Sequence, residues 1–165
     1  MTLEQIIFRL FLAVLIGGLI GTQRGRHRQP AGMRTHILVC LGATITAMTG
    51  IFVDTVMQNG DVMRLAAQVI SGVGFLGAGM IVLKNGSTVK GLTTAAGVWT
   101  TATIGIALGY GFYLGAGICA ALFLISTTLF ALLEKRKRHS EDIYVEIKDM
   151  SLLNVHHDFF HTGGY

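Results

Sequence analysis

The chain has 165 residues with 13 Lys and Arg against 9 Asp and Glu; hydrophobic residues make up 52% of it and charged residues 13%. That charge content is about half the soluble average of roughly 25%, which excludes an ordinary water-soluble domain. With one proline and 22 glycines, the composition suits helices that are rarely broken and packed closely through small residues.

The chain opens on Thr2 and Gln5, the spacing of a capping box, which predicts a helix start there. The segment that follows includes Glu4 and Arg9, but Leu10 to Gly21 is uncharged and apolar or Gly. It does not alternate as a barrel strand would, so it is read as the first membrane span. Its basic residues follow the apolar core, which argues against a cleaved signal peptide. Residues 35–53 and 65–83 each give 19 positions without Asp, Glu, Lys or Arg, one bilayer crossing apiece at about 20 residues per span. Residues 91–133 give 43 such positions, enough for two spans with a turn at Gly109-Tyr110-Gly111-Phe112-Tyr113. The expected fold is an all-α membrane protein, a polytopic bundle of five transmembrane helices.

Charge sets the expected orientation. Arg24, Arg26, Arg28 and Arg34 follow span one, Lys84 and Lys90 follow span three, and Lys135 to Arg138 follow span five, whereas the alternate connections hold no Lys or Arg. By the positive-inside rule the basic connections are cytoplasmic, with the N-terminus outside and the C-terminus inside. Cysteines introduced at Asn59 and Ser140, in a background lacking Cys40 and Cys119, are therefore expected to label from opposite sides of the membrane. Labelling of both from outside the cell would overturn this topology.

Residues 1–133 thus read as a transmembrane domain and 134–165 as a basic linker followed by the opening of a soluble domain. In that tail Ile143, Val145 and Ile147 alternate with Tyr144, Glu146 and Lys148, a strand signal. His157 and His161 have the i, i+4 spacing that on a helix suits a divalent metal, but a terminal segment without a helix signal is read as a tail. Cys40 and Cys119 read as small buried hydrophobes.

Gly72-Val73-Gly74-Phe75-Leu76-Gly77 has the G-x-G-x-x-G pattern of dinucleotide sites. It lies within an apolar span, and no acidic residue occurs between Asp61 and Glu134 to hold a ribose, so no nucleotide site is assigned. Close helix packing, or a local break lining a cavity, accounts better for Gly72, Gly74, Gly77 and Gly79. Thr93, Gly97, Thr101, Gly105 and Gly109 form a ladder of small residues every four positions, and Gly17 with Gly21 repeats the spacing. Such faces hold a bundle together where lipid supplies no hydrophobic drive, or serve a homodimer; packing within the chain is the reading preferred for most of them. Arg9 and Asp54 lie nearest bilayer depth, where a central charge costs roughly 2.5–3.5 kcal/mol. Snorkelling and a polar site shared with Glu4 and Arg64 remain alternatives. Residues 1–133 contain three carboxylates, Glu4, Asp54 and Asp61, too few and too scattered for an evident cation cage.

Four segments, Gly17 to Arg24, Ala31 to Thr35, Arg64 to Gly79, and Gly91 to Ala96 with Trp99, closely resemble the MgtC/SapB family of bacterial membrane proteins, in order and at the family's spacing. The resemblance implies a multi-pass protein of the bacterial inner membrane associated with magnesium limitation, formerly described as a magnesium-transporter component. Some members support survival of pathogens inside host cells and modulate the F-type ATP synthase. Gln23 stands where the family usually has Glu, and Thr93 and Thr100 where some members have Asn and Cys. Longer members carry a C-terminal soluble domain similar to small α/β ferredoxin-like folds.

The sequence is thus read as a non-enzymatic membrane protein, with no catalytic centre, cofactor, nucleotide or nucleic acid. Its expected partners are the lipid bilayer, a membrane complex such as an ATPase subunit, and a second copy of itself. The alternative is a small carrier or channel for a divalent cation. The candidate functional residues are Arg24, Arg28, Arg34, Asp54, Arg64, Gln68, Thr93 and Thr94, and the candidate packing residues are Gly17, Gly21, Gly72, Gly74, Gly77, Gly79, Gly97, Gly105 and Gly109.

Overall fold

The computed structural model describes residues 1–27, 29–58, 61–84 and 88–138, of which 82–84, 88 and 131–138 are described by their backbone alone. Five helices carry the fold: α1 (Leu3–Arg26), α2 (Met33–Met57), α3 (Val62–Met80), α4 (Leu92–Gly109) and α5 (Tyr113–Arg138). Each contains a stretch long and apolar enough to cross a membrane. A two-stranded antiparallel hairpin, β1 (Val82–Lys84) with β2 (Thr88–Lys90), lies between α3 and α4 and pairs Leu83 with Val89. The chain divides into two compact units, Met1–Thr128 and Leu129–Tyr165. The second is described as far as the end of α5, so the strand signal near Ile143 and the tail histidines lie outside the described residues, as does Arg28.

The helix ends follow local chemistry. Thr2 and Gln5 close the capping box on α1, with Thr2 N donating to Gln5 Oε1 at 3.2 Å and Gln5 N to Thr2 Oγ1 at 3.4 Å. Asp61 caps α3 by accepting from Met63 N at 3.0 Å, satisfying one of the orphan donors of the first turn. The turn between α4 and α5 falls at Tyr110–Phe112, where Gly111 takes φ +81°, a conformation open to glycine without a Cβ penalty. Gly91, at φ +98°, makes the corresponding bend from the hairpin into α4.

The interior is built from small residues and the large apolar side chains face outward. Ala13, Cys40, Ala43, Ala47, Ala102, Ala116 and Ala120 are buried, while Phe11, Phe52, Phe75, Leu114 and Phe130 are exposed. That inversion is what a bilayer selects: lipid tails solvate Leu and Phe well, and helices bind one another by backbone proximity. Gly17 and Gly21 seat α1 on α2; a Cβ at Gly17 would stand 2.8 Å from the His36 carbonyl oxygen, and one at Gly21 would overlap Met33 Cα. Gly105 and Gly109 seat α4 on α2, and Thr44 Oγ1 crosses the gap to the Gly105 carbonyl at 2.9 Å.

The ladder on α4 does not run straight. A four-residue repeat drifts about 40° per rung on a helix of 3.6 residues per turn, so five rungs cannot meet one neighbour. Gly105 and Gly109 meet α2, Gly97 has turned far enough that a Cβ on it would stand 3.3 Å from Phe123 of α5, and Thr93 has left the interface and is exposed, with Thr94 buried in its place. On α3 the expected packing role of the glycines is corrected. Gly77 alone meets a neighbour, Ala95 of α4 at 3.5 Å, whereas no atom lies within 4 Å of a Cβ built at Gly72, Gly74 or Gly79. The buried positions of α3 are Ala66, Val73 and Gly77, and one residue step from Val73 turns Gly72 and Gly74 about 100° away from it.

At the end of the bundle that holds the N-terminus, Arg9 explains its own depth. Its Nη1 donates to the Gly109 carbonyl at 2.6 Å and its Nε to Tyr113 Oη at 3.1 Å, placing a cation on the orphan carbonyls that close α4. Tyr110 ties the same end together by donating to the Val62 carbonyl at 2.6 Å. Burial, and then the Asp61 charge, push its hydroxyl above the ordinary tyrosine value, so it remains a donor at neutral pH.

Candidate functional site

Three buried stripes converge at the opposite, basic end. On α1 the stripe runs Arg9, Ala13, Gly17, Ile20, Gly21, Arg24; on α2 it begins at His36 and continues to Cys40 and Ala43; on α4 it begins at Thr94, Gly97 and Val98. Each therefore terminates at this end in a polar side chain. Gly21 lets the first turn of α2 lie directly on α1, so Arg24, three residues after Gly21, and His36, in that first turn, are buried at the same end of the bundle. The His36 ring lies beside α4, with Nε2 3.9 Å from a Cβ placed on Gly97.

The loop between α1 and α2 closes over this cluster. Gln29 N donates to the Arg24 carbonyl at 3.1 Å, and Thr94 Oγ1 donates to Gln29 Oε1 at 3.0 Å. His36 Nδ1 hydrogen-bonds the Gly32 carbonyl at 2.9 Å; since a carbonyl only accepts, Nδ1 carries the proton in that contact. Gln23 reaches α5, donating from Nε2 to Thr128 Oγ1 at 3.3 Å. Gln23 also lines a groove between α1 and α5 with Leu15, Leu19, Arg26, His27 and Thr128.

Arg24 is 4% exposed and His36 fully buried, yet Arg24 Nε and Nη2, His36 Nε2 and Gln23 Oε1 lack a hydrogen-bond partner. These four are all of the buried, partnerless side-chain nitrogen and oxygen atoms among the described residues. Such atoms are rare in folded proteins, and each calls for an explanation.

The structure brings together Arg24 and Thr94 from the residues singled out in the sequence and separates the others. Arg34, in the first turn of α2, is exposed; Asp54, half-buried, and Arg64, exposed, belong to the opposite end; Gln68 and Thr93 are exposed on α3 and α4. Among the described residues Arg9 bonds Gly109 and Tyr113, and no hydrogen bond joins it to Asp54. His36 and Gln29 were not legible as site residues. The signal for His36 is that it is the one titratable nitrogen inside the otherwise uncharged run 35–53, which a count of Asp, Glu, Lys and Arg passes over.

The sequence profile described as the MgtC family matches residues 10–136. An uncharacterized protein of Haemophilus influenzae is 41% identical over 137 residues, 79% of the chain and 58% of that protein. The protein named putative magnesium transporter YhiD of Escherichia coli is 44% identical over 118 residues, 68% of the chain and 54% of that protein. Protein SapB of Bacillus subtilis is 38% identical over 127 residues, 74% and 55% respectively. The chain thus spans a little over half the length of each of these relatives. No solved structure matches it.

Proposed function

Since the chain belongs to the MgtC family and forms a multi-pass membrane protein with five helices fit to span the bilayer, we propose that it is a non-enzymatic regulator that docks against another membrane complex under magnesium limitation. The link to magnesium rests on the name carried by the Escherichia coli relative. The complex is of the ATPase class to which the family resemblance points. Its location in this reading is the bacterial inner membrane, with the basic end of the bundle cytoplasmic.

The observation that carries the proposal is the outer face of α3. Arg64, Gln68, Ser71, Gly72, Phe75 and Gly79 are all exposed, and Phe75 is 83% exposed. An amide and a hydroxyl turned toward hydrocarbon are costly unless another polypeptide receives them, and the adjacent glycines give an arriving helix a flat surface. The buried charges also favour docking over cation passage. Among the described residues they are Arg9 and Arg24, whose positive field opposes a divalent cation inside the bundle.

Two measurements test this reading. A photo-crosslinker at Phe75 is expected to yield an adduct with a subunit of the membrane complex, while one at Leu114, exposed on α5, yields lipid adducts only. An adduct of twice the chain's mass would make the face a homodimer contact instead. Protein in liposomes with a magnesium-sensitive dye is expected to show no protein-dependent flux; flux without a Phe75 adduct would overturn the regulator in favour of the carrier.

Arg34 supplies the loop contribution. It is exposed on the first turn of α2, and a guanidinium fork offers bidentate hydrogen bonds that an ammonium cannot reproduce. Arg34→Lys is expected to keep abundance and lose growth at low magnesium in a strain that depends on the protein. Normal growth at native abundance would limit Arg34 to setting orientation.

A further inference from the structure

We propose that Arg24 and His36 form a buried receptor for an oxyanion of the phosphate type. The site lies at the basic end between α1, α2 and α4, apart from the outer face of α3, and does not depend on the docking proposed there.

The unpartnered atoms carry the inference. Nε and Nη2 of Arg24 are the two donors along one edge of the guanidinium, the pair that grips two oxygens of a phosphate or carboxylate side by side, and both lack an acceptor. His36 Nδ1 donates to the Gly32 carbonyl, so the ring is held in orientation and Nε2 is left as a free acceptor, suited to the O–H of a protonated phosphate or to a headgroup hydroxyl. An arginine keeps its charge at any physiological pH, and burying that charge without a counter-charge costs several kcal/mol. A trapped water could accept from these donors without neutralising the charge. The carboxylates whose side chains are described do not serve: Glu4, Asp54 and Asp61 belong to the opposite end of the bundle, and the others, from Glu134 onward, lie outside the described side chains. An oxyanion supplies both the acceptors and the charge.

On the α4 side the cluster is bordered by a glycine, a Cβ on Gly97 standing 3.9 Å from His36 Nε2, and the Gln29–Thr94 hydrogen bond ties the loop after α1 to α4. Gln23, next to Arg24 in α1, lines the groove along that helix. The oxyanion can therefore arrive as free phosphate from the aqueous side or as the headgroup of an anionic phospholipid lying in that groove.

The full chain in an uncharged detergent, titrated with inorganic phosphate at constant ionic strength, is expected to melt at a progressively higher temperature until the site saturates, with chloride having no such effect. Arg24→Leu removes the uncompensated charge, so it should fold and lose the response, whereas Lys90→Gln, at an exposed position, should respond as the wild type does. A lipid source would show instead as phosphatidylglycerol, but not phosphatidylcholine, retained by the wild type in native mass spectrometry and lost in Arg24→Leu. Should Arg24→Leu not accumulate, Arg24→Lys provides the test: retaining charge without the fork, it should need about tenfold more of the probe to which the wild type responds, a loss of about 1.4 kcal/mol. The proposal is overturned if the wild type responds to neither phosphate nor phosphatidylglycerol, as a site filled by water or by a carboxylate of the tail would behave. It is equally overturned if the Arg24 variants respond as the wild type does.

Discussion

Gly105→Leu is expected to destabilise the folded bundle by about 2–4 kcal/mol, from overpacking and from a lost interhelical hydrogen bond. Even the first carbon of the new side chain would stand 2.5 Å from the Cys40 carbonyl oxygen and 2.9 Å from Ala43 Cβ. Both belong to the helix on the far side of the interface, and backbone cannot rotate away as a flexible side chain can. Relief requires α4 to back off from α2, and the bond from Thr44 Oγ1 to the Gly105 carbonyl, 2.9 Å long, then opens. Because Thr44 also bonds its own Cys40 carbonyl at 2.8 Å, its hydroxyl stays satisfied and the loss is limited to the crossing contact. The check is thermal unfolding in detergent beside Gly117→Leu, where a Cβ meets open space. An unchanged melting temperature for Gly105→Leu would place this face against lipid.

Gly91→Val is expected to cost at least about 3 kcal/mol, through backbone strain added to a collision. Gly91 sits at φ +98°, ψ −7° at the head of α4, a conformation that costs a non-glycine residue about 1–3 kcal/mol and a β-branched one the most. A Cβ there would also overlap the Met80 carbonyl oxygen. The residue cannot simply adopt another conformation, because its carbonyl accepts the first helical bond of α4, from Ala95 N at 2.8 Å. Gly91→Ala should be milder and Gly91→Val should sharply reduce the yield of folded protein. Equal yields would show that the bend between β2 and α4 relaxes without disturbing α4.

The helices were legible because the bilayer writes its thickness into the sequence as uncharged runs. The capping box at Thr2 and the turn at Gly109 to Tyr113 were legible because local residues alone decide them. The hairpin Val82–Lys90 was not: two three-residue strands, ending at Lys84 and Lys90, present no alternation long enough to read. The glycines divide on the same principle. Gly17, Gly21, Gly105 and Gly109 meet α2, as ladders of small residues suggest. Gly72, Gly74 and Gly79 share their composition and not their azimuth, and azimuth depends on which side of α3 the rest of the chain occupies. Of the site, Arg24 and Thr94 were visible in the motifs, but their partner His36 becomes a neighbour only once Gly21 has brought α2 onto α1.

The tether made by Arg9 has a consequence for how the protein is born. Its acceptor, the Gly109 carbonyl, lies 100 residues further along the chain, and Tyr113 lies 104 further. As the ribosome delivers the helices in order, α1 enters the bilayer with a guanidinium whose permanent acceptors have yet to be made. Until the turn after α4 emerges, that charge must be met by water or by lipid headgroups, which holds the start of α1 at the membrane surface. Final seating of the first helix is thereby coupled to delivery of the end of the fourth, and a chain truncated before Gly109 would leave α1 unable to settle.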